Sequence, residues 1–272
     1  MKTAIVFLSR SARYESLTTD LQDEYIKNYL IHESKNEIDF FTVSDCEITD
    51  NYISMICVSE NSYSEKFENY KNSTLGNSHI NKKQTALDKA LFLFCEYFTS
   101  YDYVWLIEDD VFLPSIESLL MLNKKCGTND FCVPAHNEKK DEIMDWNWPN
   151  IIGKIDRPWF YSMTCAARFS RKMLECIKIY SEKNKSLFFH EVMFNTIAEK
   201  NNLSVCCPDE LKTICWMADW TFDDFYNLSG FIFHPVKNFE QHPVIRSLLR
   251  HAKEIGYVAN KPLNHAFFTL MK

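Results

Sequence analysis

The run Tyr103-Val104-Trp105-Leu106-Ile107 is apolar without alternation, and it stops abruptly on Glu108-Asp109-Asp110. An unbroken apolar run of this kind reads as a strand buried on both faces, which requires helices above and below it. Directly upstream, Leu87, Ala90, Leu91, Phe94, Tyr97 and Phe98 recur at intervals of one helical face, so a helix from Ala86 to Phe98 docks on the sheet. Further β-branched runs, residues 3–8, Glu37 to Val43 and Tyr52 to Val58, alternate with helical or polar stretches such as Leu21 to Ile31. This order predicts an α/β fold.

Composition removes several mechanisms. The chain of 272 residues carries only 5 glycines. No pair among Gly76, Gly127, Gly153, Gly230 and Gly256 has the offsets of a dinucleotide-binding, phosphate-loop or nucleophile-elbow motif. With 30 Lys+Arg against 37 Asp+Glu the net charge is −7, without the basic stripe that phosphate-backbone binding needs, so nucleic acid is not an expected partner. Hydrophobic residues at 46% supply a full core, and no Pro/Gly/Ser linker divides it. One domain over residues 1–272 is therefore expected, with lobes 1–127 and 128–272 sharing a sheet. The 10 cysteines stand mostly in apolar segments without a C-x-x-C pair and read as buried reduced thiols. The amino-terminal apolar run is too short for a signal segment, and no stretch approaches the roughly 18 apolar residues of a membrane span. A cytoplasmic protein is the expectation.

Local signals place the remaining elements. Ser115 is suited to N-cap a helix running through Lys125, with Gly127 as its stop, and Phe131-Cys132-Val133 reads as a short strand. Helices are expected at Ser170 to Ser181, His190 to Lys200 and Pro243 to Ile255. The polar segments Glu60 to Gln84 and Glu138 to Trp148 lack periodicity and read as surface loops.

In open α/β sheets, ligands bind beyond the carboxyl ends of the strands, which is where Glu108, Asp109 and Asp110 fall. Oxygen donors suit Mg²⁺ or Mn²⁺, ions that take few carboxylates and complete their shell with substrate phosphate. A solvated turn of acids is the bland alternative. The segment Tyr101 to Phe112, with its preceding helix, resembles the D-x-D-type segment of nucleotide-sugar glycosyltransferases with the GT-A fold. Phe188-Phe189-His190-Glu191-Val192-Met193-Phe194 resembles the later acidic segment of that superfamily, and Phe231-Ile232-Phe233-His234-Pro235-Val236-Lys237 its carboxyl-terminal His segment. The resemblance implies a GT-A-like chain, a Rossmann-like mixed sheet flanked by helices. It further implies Asp110 and His234 as metal ligands, Glu108 and Asp109 as contacts to ribose or to metal-bound water, and Lys237 approaching the diphosphate. The triplet here is Glu-Asp-Asp where the superfamily has Asp-x-Asp.

Read this way, the chain moves a sugar from a nucleotide diphosphate sugar, a UDP-sugar, to an acceptor hydroxyl. Mn²⁺ (or Mg²⁺) serves as cofactor, and nucleotide sugar and acceptor are the partners. The acceptor must lose a proton, and Glu191 is the candidate general base of an inverting displacement; otherwise it is a surface acid favoured by the dipole of its helix. Two rivals stay open: a metal-dependent phosphodiesterase or pyrophosphatase using the same acids, and a non-catalytic sugar-binding protein on the same fold. Asp219, Asp223 and Asp224 among Trp216, Trp220 and Phe222 read as packing. Trp146 and Trp148 are either sugar platforms or loop cover, and Arg168 and Arg171 read as solvated residues flanking a helix.

Overall fold

In the computed structural model, residues 1–9, 19–30, 37–44, 65–73, 85–143 and 147–259 are described. Strand β1 (Lys2–Ser9) is followed by α1 (Thr19–Tyr25), β2 (Glu37–Ser44), the short α2 (Glu65–Glu68), α3 (Ala86–Glu96), β3 (Tyr103–Glu108), α4 (Ile116–Cys126) and β4 (Phe131–Cys132). Then come β5 (Asn137–Glu138), β6 (Phe160–Tyr161), β7 (Ala166–Ser170), α5 (Arg171–Asn184), α6 (His190–Lys200), β8 (Val205–Cys206), α7 (Phe222–Asn227) and α8 (His242–Glu254). Among the described residues the main sheet has the order β2-β1-β3-β7-β4-β8, and β5 and β6 form a separate pair. β7 is the antiparallel member, facing β3 on one side and β4 on the other. Because β7, late in the chain, pairs directly with β3 from its first half, both halves share one sheet. The fold is α/β, a mixed sheet flanked by helices, as the GT-A-like reading expects.

The alternation of side chains along each strand divides the core. Ala4, Val6, Leu8, Val104, Leu106, Ala167 and Phe169 pack under α3, α5 and α6, whereas Ile5, Phe7, Trp105, Ile107 and Ala166 face α1 and α4. Trp105 is fully buried, and its indole N–H donates to Asn123 Oδ1 at 3.1 Å, so a polar atom on the central strand is satisfied. Caps fix the covering helices. Thr85 and Asp88 form a reciprocal capping box on α3, Ser115 caps α4, and Gly127, at φ 51, ends α4 in backbone space that favours glycine.

Several expectations change. Arg168 and Arg171 are not solvated. Arg168 is fully buried, and Arg171 is half-buried with its guanidinium donating to the carbonyls of Phe94 (2.6 Å), Phe98 (2.9 Å) and Tyr101 (3.2 Å). It thereby terminates α3 and anchors the entry to β3, a role that needs a planar fork. Arg171→Lys is expected to lower the urea midpoint by the equivalent of about 1–3 kcal/mol through the carbonyls left unpaired. Within the Glu60 to Gln84 segment, residues 65–73 are not surface loop: α2 sends Phe67 and the following Tyr70 into the core. Trp148 is likewise no loop residue; it lies buried in a 3-10 turn, stacked on Trp159 with centroids 6.0 Å apart, and β5 and β6 tie the start of its segment down. Trp146 and the Tyr52 to Val58 run lie outside the described residues. The cysteines among the described residues are free, as expected. Asp223 and Asp224 serve packing: Asp224 caps α7 with Thr221, and Asp223 accepts from the Tyr257 hydroxyl at 2.7 Å.

Candidate active site at the carboxyl edge of the sheet

β3 delivers Glu108 as its last residue, and the chain turns at once, with the Val111 N–H donating to the Glu108 carbonyl at 3.0 Å. Residues 110–112 are then stitched to the Phe231 to Val236 segment. Phe112 and Phe233 exchange backbone hydrogen bonds at 2.8 and 3.0 Å, and the Val236 N–H donates to the Asp110 carbonyl at 2.7 Å. This pairing, far in sequence, carries His234 to Asp110. The two side chains meet at 3.4 Å between Nε2 and Oδ1, with His234 6% and Asp110 8% exposed.

The imidazole is oriented from behind. Its Nδ1 lies 2.8 Å from the Cys215 carbonyl, which only accepts, so Nδ1 carries a proton and Nε2 is the nitrogen turned to the acids. Burial alone draws the His234 pKa down, but the hydrogen bond to Asp110 and the charge of that carboxylate outweigh it, and the net direction is up.

On the other side of β3, the Glu108 N–H donates to the Cys165 carbonyl at 2.8 Å, so the β3–β7 register sets Cys165 beside Glu108. The ligand atoms of Glu108, Cys165 and His234 all lie within 4.8 Å of one another. Burial, then the charges of Glu108, Glu191 and Asp110, push the Cys165 thiol well above its usual range. It stays a neutral thiol there. Cys165 was not foreseen from the sequence, where it is one of several cysteines in apolar surroundings; only strand register singles it out.

Glu191 stands in the first turn of α6, whose backbone is held to the residue after β6 by the Ser162 N–H donating to the Glu191 carbonyl at 3.1 Å. It is not a surface acid. Burial first and the charge of Glu108 second push its pKa from the ordinary 4.5 to about 7, against a smaller opposing effect of His234. Its carboxyl lines a cavity of about 950 Å³ whose wall also includes His136, Lys139, Tyr161, Lys212 and Trp216. Trp216, read from the sequence as packing, is 74% exposed on this wall.

The sequence-named residues thus separate. Glu108, Asp110 and His234 converge, and Glu191 lies within reach of the charges of Glu108 and His234. Asp109 is buried beneath the turn, and its charge acts on His242, whose pKa is drawn down to about 4 chiefly by burial. Lys237 is exposed one residue beyond the Val236–Asp110 link. His190 lies 3.5 Å from Asp88 between α6 and α3 and stacks on Phe194, outside the cluster.

Among the described residues no helix is long and apolar enough to cross a membrane. No family model matches the chain, and no curated protein matches it. Among solved structures it is similar to an active-site mutant of LgtC, with 12% sequence identity, a TM-score of 0.44, and coverage of 91% of this chain and 96% of that one.

Proposed function

We propose that the chain is a glycosyltransferase that moves a hexose from a UDP-sugar to an acceptor hydroxyl, with Mn²⁺ at the acid cluster and inversion at the anomeric carbon. The observation that carries this reading is the meeting of Glu108, Asp110 and an oriented His234 at the carboxyl edge of β3, beside a cavity that holds Glu191. Oxygen donors with one neutral imidazole suit Mn²⁺ or Mg²⁺, and the nitrogen favours manganese. The residues fit such an ion: Asp110 and Glu108 bring two carboxylates to one imidazole, and a cation between them would relieve their mutual repulsion. Asp110 and His234 would hold it, with Glu108 beside them. When bound, the cation supplies positive charge against the departing diphosphate.

The protein's own groups have distinct tasks in this reading. Glu191 takes the acceptor proton, and its pKa near neutrality suits a general base. The aromatic faces of Tyr161 and Trp216 offer flat surfaces to sugar rings on the cavity wall. Lys237 is assigned to the diphosphate and Glu108 to ribose or metal-bound water; Asp109, buried beneath the turn, is assigned no contact to the donor. Residues 1–127 would form the donor lobe and 128–272 the acceptor lobe.

Metal and nucleotide are expected to bind cooperatively, because the protein supplies only part of a coordination shell and the diphosphate must complete it. In calorimetric titration, UDP affinity should fall at least about tenfold on chelation, about 1.4 kcal/mol. Equal affinity with and without Mn²⁺ overturns the metal assignment, and a panel of nucleotide sugars showing no Mn²⁺-dependent hydrolysis or transfer overturns the enzymatic one. A two-metal phosphodiesterase needs a second ion about 3.5–4 Å from the first. Among the described residues the other donor group is a set of thiols, so the one-metal reading is preferred.

A further inference from the structure

Strand register places a row of unusual residues across the far half of the sheet. Arg168 of β7 is the Cα partner of Cys132 in β4, and Cys132 is the partner of Cys206 in β8. Partnered residues on neighbouring strands point to the same face, the one covered by α4. The last residue of α4 is Cys126, and the Sγ atoms of Cys126, Cys132 and Cys206 all lie within 4.8 Å of one another. Cys126 and Cys132 are fully buried and Cys206 is half-buried, leaving the trio one approach from solvent. The neighbouring Cys207 belongs to the cavity wall instead.

Beside this trio sits a buried cation. The Arg168 guanidinium donates to the carbonyls of Asn123 (3.0 Å), Gly127 (2.8 Å) and Asn129 (3.2 Å) and to Asn123 Oδ1 (3.1 Å), and lies 4.2 Å from the Tyr103 ring centroid. Among the described residues, these partners include no carboxylate. Neutral dipoles and a ring face soften a buried charge but leave its sign uncompensated, which is costly in a protein interior.

We propose that Cys126, Cys132 and Cys206 form a thiolate site for one soft divalent cation of the zinc class, with Arg168 as the buried counter-charge. The charges balance. Three thiols lose three protons to solvent, the resulting thiolates and a divalent ion sum to minus one, and the guanidinium brings the group to zero. No electron is transferred. Tetrahedral Zn–S bonds of about 2.3 Å place sulfurs about 3.8 Å apart, so the trio needs only a small contraction. A water molecule would complete the shell from the Cys206 side. The ion would also do structural work, since β4 and β8 pair over only two residues each and a bound cation would cross-link both strands to the end of α4.

The reduced, chelator-stripped chain should be titrated with Co²⁺ as a spectroscopic substitute for Zn²⁺. Thiolate-to-metal charge-transfer absorption that saturates at one thiolate-bound ion per chain is expected, with release of about three protons for that ion and a rise in Tm. Cys206→Ser, at a half-buried edge position that tolerates the change, should weaken binding at least about 100-fold. Cys165→Ser, which removes the sole thiol of the acid cluster, should leave it unaltered. Absence of charge-transfer absorption, its loss in Cys165→Ser and not in Cys206→Ser, or a disulfide between any two of the three cysteines in freshly prepared protein would each overturn the proposal. None of these outcomes bears on the glycosyltransferase reading, whose site is separate.

Discussion

Replacing Glu191 with glutamine is expected to abolish most turnover while making the folded protein more stable. Glutamine keeps the size and hydrogen bonding of the side chain but accepts no proton, so kcat should fall by roughly 10²–10⁴ with donor affinity within about twofold. The stability change has the opposite sign. Burial and the charge of Glu108 hold the carboxyl at about 7, above its ordinary 4.5. The folded state therefore holds this proton more tightly than the unfolded one. The stabilisation from protonation is complete below about 4.5 and is lost as pH rises through 7, so at pH 8 the wild-type protein carries a penalty of up to about 3 kcal/mol. Partial exposure reduces that figure, and Glu191→Gln should gain about 1–3 kcal/mol at pH 8 and almost nothing at pH 4.5. In wild-type enzyme the same group requires kcat/KM to climb with pH on passing through about 7, a limb that the variant lacks. Near-wild-type turnover in Glu191→Gln would remove the base, and with it the inverting mechanism, while leaving the acid cluster untouched.

Much of this site was legible because local patterns determine it. The apolar run of β3 ending on Glu108 needs no tertiary information, the caps at Ser115 and Gly127 follow from single residues, and the helix at His190–Lys200 follows from its apolar spacing. The pairing of Asp110 with His234 could be suspected from the superfamily resemblance, but its cause, the Phe112–Phe233 bridge, spans more than a hundred residues and leaves no periodic trace. Arg168 and Arg171 were misread for a related reason. A guanidinium that bonds carbonyls leaves the same mark in the sequence as one in water, since its partners are backbone groups present at every position. Cys165 and the Cys126, Cys132 and Cys206 trio depend on strand register, which single-strand patterns do not specify. The aromatic cavity wall is assembled from the 134–163 and 207–216 segments, whose polar and aromatic mixtures read as loop and packing.

Asp110→Asn is expected to act on binding and chemistry together, in contrast to Glu191→Gln. Asparagine preserves the volume of a residue that is 8% exposed, and the Val236 N–H still has the backbone carbonyl of residue 110, so the stitch between the two segments survives. What is lost is negative charge beside His234 Nε2, 3.4 Å away. With Asp110 neutral, its hydrogen bond and charge no longer oppose burial, and the imidazole pKa should fall relative to the wild type, where it is raised. NMR titration of that ring tests the electrostatic claim without any substrate. For the reaction, outer-shell changes at metal sites cost about 10–100-fold, and a direct ligand should cost more. Donor affinity in Mn²⁺ should therefore weaken at least about 100-fold, and kcat should fall by a comparable factor because the same charge positions the donor and opposes the departing diphosphate. Under chelation, the variant and wild type should bind UDP alike. That equality separates metal loss from a damaged pocket, which would weaken nucleotide binding in both conditions. If Asp110→Asn lowers the His234 pKa yet leaves Mn²⁺-dependent UDP binding and turnover unchanged, the pair is a buried structural contact. The acid cluster would then be a charged turn stitched to the Phe231 to Val236 segment, and the donor would have to be held elsewhere.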